Sequence, residues 1–80
     1  MAPRIDEFAG FTIRIYAHDH GPPHVHVRKG NAELRIYLQG EYLVEYVHGK
    51  MKASDERLAV RIVSGRREMY SKRWKEIDPQ

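Results

Sequence analysis

Four of the five histidines fall within residues 18–26, in the run HDHGPPHVHV. Imidazole both takes up and releases protons near neutral pH, and it is the commonest metal ligand. In an extended strand His24 and His26 lie on one face, about 7 Å apart along the chain. They are therefore the candidate acid–base groups, and the candidate core ligands of a divalent metal such as zinc. His18, Asp19 or His20 would supply the third ligand of an open site. Asp19 could instead orient an imidazole, or bond its own backbone and cap the turn. On the plainer view the histidines are half-exposed residues of a polar sheet face, and Pro22-Pro23 only stiffens the loop. The other H-x-H folds fit poorly. The chain is too short for a cupin barrel, and Arg28 occupies the third alternating position that a histidine triad needs.

The elements that must position these residues follow from periodicity. Residues 11–17 alternate, with Phe11, Ile13, Ile15 and Ala17 on one side and Thr12, Arg14 and Tyr16 on the other. That is a half-buried strand. Gly21-Pro22-Pro23 interrupts the pattern, because proline gives no N–H to a ladder. Residues 24–29 alternate again, Gly30-Asn31 makes a two-residue hairpin turn, and residues 32–38 return. This register sets Arg28 opposite Glu33, Val27 opposite Leu34, His26 opposite Arg35, Val25 opposite Ile36 and His24 opposite Tyr37. A slip of one residue would destroy the match. A three-residue loop, Gln39-Gly40-Glu41, leads to a fourth strand over residues 42–47, with Glu45 opposite Arg35 and Val44 opposite Ile36.

Residues 1–10 read as an irregular lead-in. Residues 49–53 form a linker, and Ser54 and Asp55 are helix-capping types. Beyond them Ala59, Ile62, Val63, Met69, Tyr70, Trp74 and Ile77 recur at three- and four-residue spacing, one apolar stripe. Gly65 marks a kink or a split, and Asp78-Pro79 ends the helix. The expected fold is a single α+β domain. Residues 11–47 form a four-stranded antiparallel β-meander, and the helical segment 54–77 packs on one face. The other face then carries Arg14, Tyr16, His24, His26, Arg28, Arg35 and Tyr37, a basic and aromatic surface of the kind that anchors protein interfaces or stacks RNA bases.

Composition narrows the classes. With 80 residues the chain is one domain. It has no cysteine, so disulfides and thiolate metal sites are excluded, in keeping with a reducing cytoplasm. No run approaches the roughly 20 apolar residues of a membrane span. Residues 1–10 lack the order of a secretory signal. The formal charge of +3 is mild. Arg61, Arg66, Arg67, Lys72, Arg73 and Lys75 cluster near the C-terminus, as a nucleic-acid contact or as the solvated face of a helix. Gly-rich phosphate loops and nucleophile elbows are missing.

The chain resembles the bacterial domain-of-unknown-function family forty-one-sixty. That family has an aromatic and a glycine before the first strand, then a tyrosine, then DH-x-PPH-x-HV. Phe8, Gly10, Tyr16, Asp19-His20, Pro22-Pro23-His24, His26-Val27 and the late Trp74 match it. Val25 stands where the family usually has phenylalanine, and the stretch 42–50 is longer than usual. The resemblance implies a small prokaryotic protein, often encoded beside another small protein in a toxin–antitoxin-like arrangement. A protein partner is therefore expected. Two functions remain open: a binding or regulatory module working through the sheet face and histidine corner, or a small metal- or histidine-dependent hydrolase, such as an RNase-like toxin.

Overall fold

The computed structural model describes residues 4–16 and 21–77. Ala17, His18, Asp19 and His20, and the expected helix stop at Asp78-Pro79, lie outside them. The fold is α+β: five strands, then two helices. The strands are β1 (Arg4–Phe8), β2 (Phe11–Arg14), β3 (His24–Lys29), β4 (Ala32–Tyr37) and β5 (Val44–His48); the helices are α1 (Ala53–Gly65) and α2 (Arg67–Ile77). All neighbouring strands run antiparallel, in the order β1-β2-β3-β4-β5.

The sheet therefore has one strand more than the alternation announces, because Arg4–Phe8 is a strand and not a lead-in. Its sequence, RIDEF, is mostly charged, so it carries no clear apolar face. Its turn is also disguised. Ala9 and Gly10 both adopt positive φ, +50° and +83°, the pattern of a tight I′ hairpin. Alanine accepts that conformation at a cost of about 1–2 kcal/mol, so the pair does not read as a turn.

The β3–β4 hairpin has the expected register throughout, from His24 opposite Tyr37 to Arg28 opposite Glu33. Gly30 supplies the positive φ of its turn, +60°. The next pairing also holds, with Arg35 opposite Glu45 and Ile36 opposite Val44. The strand itself starts later, at Val44, because Tyr42 takes a positive φ of 56° and the Tyr37 N–H reaches the Leu43 carbonyl at 3.0 Å. Beyond Tyr46 the register shifts, and Val47 is the extra residue of a bulge.

Gly65 closes α1, and the Arg66 N–H bonds back to Ile62 and Val63. Arg67 then opens α2, so the helical segment is split. The break rephases the stripe. Tyr70 and Trp74 stay buried with Ala59, Ile62 and Val63, whereas Met69, expected inside, is exposed. Nor do Ser54 and Asp55 cap the first helix. Lys52 holds that position without a side-chain bond, and Asp55 instead accepts from Lys29 Nζ at 3.1 Å. The core lies between the helices and the sheet face that carries Phe11, Ile13, Val25, Val27, Leu34 and Ile36. Among the described residues, no helix is long and apolar enough to cross a membrane.

Candidate functional site

Strand register builds the site. Pairing across β2, β3, β4 and β5 sets Arg14, His26, Arg35 and Glu45 in one row. On the same face His24 stands opposite Tyr37, and Thr12, Arg28 and Glu33 form the row beyond. The expected residues Arg14, Tyr16, His24, His26, Arg28, Arg35 and Tyr37 are thus brought to one surface. His18, Asp19 and His20 lie outside the described residues.

The two histidines are not half-exposed. His24 keeps 2% of its surface and His26 6%. Rings enclose them. The Tyr16 ring meets His26 edge-on at 4.3 Å between centroids, and His26 meets His24 at 5.2 Å. Tyr37 lies 5.5 Å from His24 and Trp74 4.8 Å. The Trp74 contact corrects a premise: the helical segment does not leave the histidine corner alone, since α2 brings its tryptophan against the first residue of β3.

Each imidazole is also fixed by its Nδ1. His24 Nδ1 lies 2.8 Å from the Pro22 carbonyl oxygen. A carbonyl only accepts, so Nδ1 carries the proton and, in the neutral ring, Nε2 carries the lone pair. His26 Nδ1 lies 3.1 Å from Glu33 Oε2, with the same consequence when the carboxylate is ionised. A carboxylate or carbonyl on the far nitrogen is the usual support of a ligating or proton-transferring histidine. Glu33 is the residue of this candidate site that the sequence reading misses. The signal was present, because the hairpin register puts Glu33 opposite Arg28 and so diagonal to His26. Arg28 Nη1 lies 3.8 Å from its other oxygen.

At the other end of the row Glu45 Oε1 accepts from the Tyr37 hydroxyl at 2.6 Å and from Arg35 Nη1 at 3.3 Å. The Tyr37 hydrogen bond is the main cause holding Glu45 below the usual carboxylate range. Burial opposes it, and Arg35 adds to it. Among the described residues no three histidine or carboxylate side chains come together as a metal site. His24 and His26 bring two imidazoles together on one face, 5.2 Å between ring centroids. An open depression of about 400 Å³ lies nearby, bounded by Pro22, Tyr37, Gln39, Gly40 and Leu43. Among the described residues, no carboxylate lines it.

Together these features define a small α+β domain whose antiparallel meander encloses a histidine pair beneath arginines and tyrosines. The chain belongs to DUF4160, a domain of unknown function, whose pattern it matches over residues 10–75. No curated protein and no solved structure matches it.

Proposed function

We propose that this domain is a binding and regulatory module that docks a protein partner on its arginine- and tyrosine-bearing sheet face, as one member of a toxin–antitoxin-like pair. The observation that carries this reading is the division of labour on that face. The histidines are closed in, while the arginines around them reach solvent, the Arg28 side chain by 54%. What a visitor meets is therefore cation and aromatic edge, the residue types that anchor protein interfaces. The rigid tier of rings beneath preorganises those side chains, which lowers the entropy lost on binding. The test is co-expression with the small neighbouring protein that the family resemblance leads one to expect, followed by calorimetry. Arg28→Glu and Arg35→Glu should weaken the complex at least tenfold with the fold intact. Undiminished binding by both variants would refute the reading.

A second reading is favoured by one contact, the His26–Glu33 pair. Oriented by its carboxylate, His26 would serve as a general base in a histidine-dependent hydrolase, with RNA as the substrate and His24 as its partner acid. Burial of both rings weighs against it, since a substrate must reach Nε2. RNA cleavage lost in both His24→Gln and His26→Gln would establish it over the binding role.

A further inference from the structure

The basic cluster near the C-terminus divides once the helices are in place. Arg66 is held by Asp6, and Arg73 Nη1 lies 3.4 Å from Glu76 Oε1. Arg67, Lys72 and Lys75 make no ion pair among the described residues. All three instead line one groove of about 450 Å³, which runs along α2 beside the end of the sheet. Pro23, Leu38 and Gln39 form its far wall, and the Leu38 N–H fixes that wall on the Pro23 carbonyl at 2.9 Å. Trp74, almost wholly buried, lies at its base. Among the described residues, Glu68 is the one carboxylate that lines it.

We propose that this groove binds an extended acidic segment of another protein, with carboxylates at positions i and i+4 and an apolar side chain at i+2. Charge sets the sign of the occupant, since three cations without carboxylate partners face a single acid. Spacing sets its form. Arg67 and Lys75 stand about 12 Å apart along the helix axis, from the rise of an α-helix, and four residues of extended chain cover about 13 Å. Alternate side chains of an extended chain point the same way. Its two carboxylates therefore meet Arg67 and Lys75, while the apolar side chain between them rests against Pro23, above Trp74. Single-stranded nucleic acid fits less well. It binds by stacking bases on open rings, and Trp74 is only 2% exposed. The groove lies beside α2 and not on the arginine-bearing sheet face, so this site stands or falls apart from the docking proposed above.

Trp74 is the only tryptophan of the chain, so its fluorescence reports the groove directly. The probe is a short peptide of glycine and serine built around Asp-Ser-Leu-Ser-Asp. It should change the emission of the full chain saturably. Arg67→Glu and Lys75→Glu should each raise the dissociation constant about tenfold or more, with unchanged circular dichroism. If one of them fails to fold, the other decides. Arg61→Glu makes the same change of charge at an exposed residue of α1 outside the groove, and should bind the peptide as the wild type does. So should Arg28→Glu, which separates this site from the sheet face. A chain that gives no saturable response overturns the proposal. So does tighter binding of an oligouridylate than of the peptide, or a loss of peptide binding in Arg61→Glu or Arg28→Glu as large as in the groove variants.

Discussion

The Nδ1 contacts of His24 and His26 make a spectroscopic prediction. Each neutral ring should be the Nδ1–H tautomer, because the partners are a carbonyl and a carboxylate. Long-range proton–nitrogen correlation at mildly alkaline pH reports the tautomer directly, and an Nε2–H signal from either ring would contradict the geometry. The Glu33 contact also bears on stability. Replacing Glu33 by leucine strands a buried imidazole N–H, and such a loss costs about 1–3 kcal/mol. Urea denaturation should show it, with His26→Phe in the Glu33→Leu background recovering part of the loss. Zinc titration followed by the same ring signals separates the two functional readings. The binding module expects no saturable shift at micromolar metal, while simultaneous stoichiometric shifts of both rings would favour the hydrolase.

At the scale of elements, β1 and α2 are joined by one cluster. Asp6 accepts from the Tyr70 hydroxyl at 2.7 Å, from Arg66 and from the Glu7 N–H at 2.8 Å. Burial raises the Asp6 carboxyl, but these hydrogen bonds outweigh it and hold the group below its usual value of 3.8. Burial, then the Asp6 contact, pushes the Tyr70 hydroxyl up. A carboxyl lowered in the folded state stabilises the fold fully above its unfolded value. That contribution is lost as pH falls through the folded one. Acid titration of stability should therefore show a loss below about pH 4 that is flattened in Asp6→Asn. Tyr70→Phe should cost about 1.5–3 kcal/mol at neutral pH, as loss of a hydrogen bond to a charged group does. None of this cluster is visible in the sequence, since sixty residues or more separate its partners. The β3–β4 hairpin is visible, because a two-residue turn and matched apolar pairs fix it locally. β1 is hidden by its charges and by Ala9 in a left-handed turn. The burial of the histidines is hidden too, because alternation assigns a face but not what tertiary packing lays upon it. Trp74 arrives there from the far end of the chain.

For the molecule as a whole, the largest fully buried side chains include Trp74 and Tyr70, both on α2. A chain cut after Gly65 loses them, together with both side-chain anchors of Asp6, and circular dichroism should show it unfolded. Within the sheet, Ile36→Ala removes a fully buried side chain and should cost about 2–5 kcal/mol by chemical denaturation.

The Asp6 cluster also sets an order of events during synthesis. Arg66 and Tyr70 leave the ribosome sixty and sixty-four residues after the aspartate they hold. The hairpins can form as they emerge, but part of their apolar face stays wet until α2 brings Tyr70 and Trp74 onto it. Nascent chains of this domain are therefore at their stickiest just before translation of α2 is complete. A pause in translation between α1 and α2 would prolong the window in which that apolar face meets its neighbours on a polysome.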